Sequence, residues 1–207
     1  MRVKDSPISE AEIIGCGLGA SITGCNAIAE IPFCDFMGVA MDQVYNQVAK
    51  MRYMYGGNIN IPLTIRTTMG GYVSGAAQHS QCLEAWFNHI PGIKVALPST
   101  PYDVKGIIKT SINEKNPVII FEHKKLLGEK GEVPEEEYFI PLGKADIKRS
   151  GKDLTIIATS YMVHFALSAA DKLSKEGLHL IQIYFGFPVF LVEICHKVYA
   201  LYLESQF

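Results

Sequence analysis

The sequence has no C-x-x-C pair, no G-x-G-x-x-G or G-x-x-x-x-G-K-[ST] frame, no G-x-S-x-G turn and no H-E-x-x-H helix. Those gaps remove a redox dithiol, the common nucleotide-phosphate loops, a hydrolase nucleophile elbow and a zinc protease from consideration. A charge excess is missing too. Nineteen Lys and Arg stand against 21 Asp and Glu, a net charge of −2, so no basic footprint for nucleic acid exists. Met1-Arg2-Val3-Lys4-Asp5 runs into Ser6-Pro7-Ile8-Ser9-Glu10 without the apolar centre of a signal peptide. The one membrane-like run, Ile181 to Val192, is broken by Gln182, Gly186 and Pro188. It falls short of the roughly 20 apolar residues that span a bilayer, so no membrane is expected. The five cysteines (Cys16, Cys25, Cys34, Cys82 and Cys195) are odd in number and are expected to be reduced, buried thiols of a cytoplasmic protein.

What is present is apolar. Hydrophobic residues make up 48% of 207, enough for a packed core in one or two domains. A helix is predicted from Ser9, as N-cap, to about Thr23, with Glu10 and Glu12 in its first turn. Gly15, Gly17, Gly19 and Ala20 give it a small face that something should approach closely. Ala27–Ile31 reads as a strand, Asp35–Tyr55 as one long helix, Ile61–Arg66 as a buried strand, and Thr67–Ala77 as a small-residue loop. Ser80–Asn88 reads as a helix, Lys94–Leu97 as a strand, Tyr102–Asn113 as a helix and Pro117–Glu122 as a strand. This rhythm predicts an α/β fold, a mostly parallel sheet with helices on both faces, over residues 1–123. Residues 124–152, with Glu132, Glu135, Glu136 and Glu137, are expected to be an exposed acidic arm and linker. Residues 153–207 open a second, incomplete α/β unit and end in an atypical tail.

Two residues stand out as chemistry. Glu10 is either a solvated acid favoured by the helix dipole or a functional carboxylate. His79, in Gly75-Ala76-Ala77-Gln78-His79-Ser80-Gln81, is either a core or capping histidine or a general acid/base with room for a ligand beside it. His89, His123 and His164 read as structural.

Together, the segments Ser6–Glu10, Asp35-Phe36-Met37, Met41-Asp42-Gln43, Ala76–Gln81, Ala85-Trp86-Phe87 and Pro91–Val95 resemble the β subunits of thiamine-diphosphate-dependent 2-oxo acid dehydrogenases. Met37–Gln43 and Arg66–Gly71 are more similar to the acetoin branch of that family than to the pyruvate branch. The resemblance implies a transketolase-like pyrimidine-binding domain. Thiamine diphosphate would be shared with an α subunit that holds the diphosphate and Mg²⁺, in an α2β2 heterotetramer serving a lipoyl-bearing E2. The substrate would be acetoin or a 2-oxo acid. On this resemblance Glu10 bonds the ring nitrogen of the aminopyrimidine, Phe36 packs on that ring, and His79 manages protons or orients the lipoyl group. Leu63, Ser111, Ile112, Glu114 and Asn116 match a potassium-binding loop that uses mainly backbone carbonyls. Departures from the family are also visible: the strand and helix that precede the Glu10 motif are lacking, and the match stops after Gly177. They leave two other expectations, a catalytically incompetent interaction module and another transketolase-like enzyme.

Overall fold

The computed structural model describes residues 3–184. Helix α1 (Glu10–Ile22) starts after an extended Ser9, φ −151°, whose hydroxyl makes no capping bond, contrary to expectation. The acidic pair Glu10 and Glu12 occupies the positive first turn. The small face does its expected work at Gly17, where an added Cβ would lie 3.0 Å from Leu63 Cδ1 and 3.3 Å from Ala29 Cβ.

The main sheet has strands β1 (Ala27–Phe33), β2 (Leu63–Met69), β3 (Lys94–Ala96) and β4 (Val118–His123), in the order β1-β2-β4-β3 and all parallel. Strand β4 explains the layering. Ile119 and Phe121 join the larger core with Ile14 and Leu18 of α1, whereas Val118 and Ile120 pack with Ile107 of α4 (Pro101–Ile112). A strand buried on both faces reads as a continuous apolar run, and this one does.

The long helix expected over Asp35–Tyr55 is broken. A 3₁₀ turn (Cys34–Gly38) leads to a π-helical turn (Gln43–Val48) and then to the short α2 (Met51–Met54). Met37, Ala40, Val44 and Val48 are all at most 1% exposed and recur at three- and four-residue steps. An unbroken α-helix would also keep that row on one face, so the apolar spacing does not by itself explain the 3₁₀ and π turns. The helix expected over Ser80–Asn88 shrinks to α3 (Glu84–Asn88), after a 3₁₀ turn at Ala77–His79. Its first residues are diverted. The Gln81 N–H donates to Asp35 Oδ1 at 3.1 Å, and the Gln81 carbonyl accepts from Gly70 N at 2.8 Å.

The 124–152 segment is not a free linker. Lys105 Nζ of α4 donates to the carbonyls of Pro134, Glu135 and Glu136, and Tyr138 stacks on Tyr102 at 4.4 Å. Asp146–Arg149 forms β5 of a second sheet, antiparallel to β7 (Leu180–Tyr184), which runs parallel to β6 (Leu154–Ala158). Helix α5 (Met162–Lys175) covers that sheet through Val163 and Ala166, packed with Ala158. The second unit is pinned to the first. Lys148 Nζ lies 3.2 Å from the buried Asp103 carboxylate, and His164 Nε2 lies 2.8 Å from the Ser99 carbonyl. The atypical tail falls outside the described residues beyond Tyr184. Among the described residues no helix is long and apolar enough to cross a membrane.

Gly92 sits at φ +104°, and a Cβ there would come within 2.0 Å of the Ala49 carbonyl oxygen. Backbone cannot move aside as a side chain can. Gly92→Ala is therefore expected to destabilise the chain by about 2 kcal/mol or more, read as a lower urea midpoint. Gly19→Ala, in α1 with nothing within 4 Å, should instead raise stability by about 0.5–1 kcal/mol.

Candidate functional site

Because the four strands are parallel, their carboxyl ends share one edge, the place where open α/β sheets bind ligands. Phe33 ends β1, and the 3₁₀ turn that follows carries Phe36. Gly70 follows β2, and the loop returns to the sheet edge at His79. The three rings form one cluster: Phe33 to His79 is 4.8 Å, Phe36 to His79 is 5.2 Å and Phe33 to Phe36 is 6.2 Å, all edge-to-face. All three are half-buried, so the cluster has covered rings and an open side. Phe36 and His79, far apart in sequence, are thus brought together.

Glu10 reaches the same edge by topology. Near the other end of α1, Ser21 Oγ donates to Pro62 O at 3.4 Å, beside the amino ends of β1 and β2. The helix rises about 1.5 Å per residue, so Glu10 lies about 17 Å further toward the carboxyl ends. Its half-buried carboxylate has no hydrogen bond or ion pair among the described residues, and no direct contact joins it to the ring cluster. A carboxylate with free lone pairs and an open aromatic edge suit a nitrogen heterocycle: the acid can bond a ring nitrogen, and the rings can pack its face.

Four residues near this edge were given no site role by the sequence: Asp35, Lys124, Arg66 and Glu122. Asp35 Oδ1 accepts from both the main chain and the side chain of Gln81, at 3.1 and 2.9 Å. Lys124, expected to begin an exposed arm, is 5% exposed and donates to the carbonyls of Gly70 and His79, each at 2.7 Å. Nothing in its sequence neighbourhood separates Lys124 from the solvated lysines that follow. The Arg66–Glu122 pair, bridging β2 and β4 at 2.9 and 3.2 Å, raises the Arg66 pKa through the hydrogen bonds to Glu122. It faces a cavity of about 390 Å³, also lined by Thr100, His123, Leu126 and Val133. His123 stacks on Tyr161 at 5.0 Å, and burial, with Lys124 beside it, lowers its pKa.

The five positions matched to potassium cluster at the opposite, amino edge, around the turn from α4 into β4. The side-chain oxygens there are already engaged. Glu114 pairs with Lys94 at 2.5 Å and accepts from Lys115 N at 2.9 Å, while Asn116 Oδ1 accepts from Arg52 Nη1 at 3.0 Å. Ser111 Oγ donates to Ile107 O, and Leu63 is fully buried. A potassium ion here would rest on main-chain carbonyls, which is the form the resemblance implies. Among the described residues no group of three or more His, Cys, Asp or Glu could hold a metal ion.

The described residues form a parallel α/β domain with a candidate ligand site at the carboxyl edge of its sheet. The chain belongs to the transketolase family: residues 1–130 match its pyrimidine binding domain and residues 143–181 its C-terminal domain. It is 51% identical over 177 residues to the acetoin:2,6-dichlorophenolindophenol oxidoreductase subunit beta of Cupriavidus necator, covering 86% of this chain and 52% of that one. It is 47% identical to the pyruvate dehydrogenase E1 component subunit beta of Bacillus subtilis (86% and 55% covered). With the 2-oxoisovalerate dehydrogenase subunit beta of the same organism the identity is 44% (91% and 58% covered). The chain thus spans about half the length of these relatives. A solved split-gene transketolase, an inactive beta4 tetramer, superposes with a TM-score of 0.72 at 24% identity, over 87% of this chain and 55% of that one, a likeness of fold.

The cysteines correct the sequence reading. Only Cys34 is buried among the described four; Cys16, Cys25 and Cys82 are exposed. Burial pushes the Cys34 thiol up to about 12 and also raises Cys82. At pH 8 a thiol of pKa about 12 is ionised in only about 1 molecule in 10⁴. Iodoacetamide followed by peptide mass spectrometry should therefore label Cys16 and Cys25 first and Cys82 more slowly. Cys34 should react only after denaturation, and early labelling there would contradict this packing.

Proposed function

We propose that this chain acts as the β subunit of a thiamine-diphosphate-dependent E1 dehydrogenase in the cytoplasm. With an α subunit that holds the diphosphate and Mg²⁺, in an α2β2 assembly, it cleaves acetoin or decarboxylates a 2-oxo acid. The acyl group passes to a lipoyl-bearing E2. The observation that carries this reading is the packing of Phe36 on His79 at 5.2 Å, on the sheet edge toward which Glu10 extends. The kinship with E1 β subunits supports it.

Bound thiamine diphosphate supplies the electron sink for breaking a bond next to a carbonyl. The residues of this chain do the rest. Glu10 holds a proton at a pyrimidine nitrogen, and Phe36 and Phe33 exclude water from one face of the ring. His79, with one ring edge open, moves a proton at the substrate oxygen or orients the lipoyl group. Main-chain carbonyls at Leu63, Ser111, Ile112, Glu114 and Asn116 hold potassium in this reading and brace the turn between α4 and β4.

The test is reconstitution with the cognate α subunit, thiamine diphosphate and Mg²⁺, following dye reduction with acetoin, pyruvate and branched 2-oxo acids side by side. Glu10→Ala and His79→Ala should each lower kcat by about 10²–10⁴-fold while the α–β complex still co-purifies. Full turnover by Glu10→Ala would remove the assigned role. Co-purification without any cofactor-dependent turnover of the unaltered chain would overturn the reading in favour of an interaction module.

A further inference from the structure

Lys124 is the least expected charge in the molecule. Its side chain leaves the end of β4 and is 5% exposed, yet no carboxylate lies within ion-pair distance among the described residues. A buried ammonium needs its hydrogen bonds met, because its desolvation is otherwise uncompensated. Here two main-chain carbonyls accept from Nζ, Gly70 O and His79 O, both at 2.7 Å. The third contact is the Phe33 ring, with Nζ 5.2 Å from its centroid. That same ring meets the His79 imidazole edge-to-face at 4.8 Å.

The two carbonyls bracket a loop that sequence chemistry does not favour. Tyr72 (φ 109°), Ser74 (φ 55°) and Ala76 (φ 56°) are non-glycine residues in the left-handed region. Such conformations persist only where surrounding structure overrides them. Beyond Lys124, Lys125 holds its Nζ 3.9 Å from the Tyr72 ring centroid. At Gly70, φ +83°, an added Cβ would fall 2.2 Å from His123 Nε2, so the loop leaves β2 in contact with the residue just before Lys124.

We propose that Lys124 is the positioning residue for His79: its ammonium ties both ends of the 70–79 loop to the end of β4 and seats the imidazole against Phe33 and Phe36. This rests on the functional reading only in giving the seated histidine a proton to move; the tie itself does not depend on that reading. Removing the ammonium takes the donor from the buried Gly70 carbonyl and the part-buried His79 carbonyl and releases the loop strain with them, so the loop opens while the sheet behind it holds.

The test uses the full chain with Lys124→Met, Lys124→Arg and, as a charge-matched control, Lys130→Met in the exposed arm. Amide hydrogen exchange over residues 70–81 should speed up by about tenfold in Lys124→Met, with β4 and α4 amides unchanged. Lys124→Arg, which keeps a buried cation, should recover most of the protection, and Lys130→Met should match the unaltered chain. In histidine-labelled NMR spectra, the His79 ring resonances, assigned with His79→Gln, should lose their ring-current displacement in Lys124→Met. Unchanged exchange over 70–81, or an equal rise in every segment, would overturn the proposal, since the second outcome marks general destabilisation. In the reconstituted complex, Lys124→Met should lower kcat with little change in KM. If the unaltered chain shows no turnover while the exchange and NMR effects appear, the functional reading fails and the positioning role stands.

Discussion

A strand that is apolar on both faces has to be covered on both faces, and β4 imposes that requirement on this chain. Ile119 and Phe121 draw α1 and the 34–49 segment to one side, while Val118 and Ile120 draw α4 to the other. Its neighbours are parallel, and parallel pairing requires each connection to cross over the sheet before the next strand is laid down. The carboxyl ends of these strands fall on one edge, and the polar residues at and just beyond the end of β4 (His123, Lys124 and Lys125) become the floor on which the 70–79 loop rests.

Charge at that edge is handled by partners matched in number. Arg66 spreads over Glu122 and Glu30, Asp35 is satisfied by Gln81, and Lys124 is satisfied by carbonyls and a ring. The Glu10 carboxylate has no such partner among the described residues, and neither has the buried Oε2 of Glu84. An uncommitted acid on the helix that runs toward the edge carrying an open aromatic cluster is the chemical reason to propose a heterocycle there.

Periodicity and residue type were enough for most strands of the first sheet and for α1 and α4, because the apolar spacing of each element is local. They failed where tertiary bonds replaced local ones. The 34–55 segment reads as one helix, and the structure instead breaks it into 3₁₀, π and α turns while keeping the same apolar row buried. Ser80–Asn88 reads as a helix until Asp35 and Gly70 claim the backbone of Gln81. The acidic stretch reads as a free arm, although Lys105 gathers three of its carbonyls and Asp146–Arg149 pairs with β7.

The residues Glu10, Phe36 and His79 were legible in the sequence because their chemistry and flanking motifs travel with them. The meeting of Phe36 and His79 at one sheet edge, and the burial of Lys124 beneath His79, were decided by the tertiary structure alone. A hydrophobic pattern specifies which side of an element turns inward, but it carries no information about which distant carbonyl a lysine will find there. That choice depends on where two strand ends come to lie after the sheet has formed.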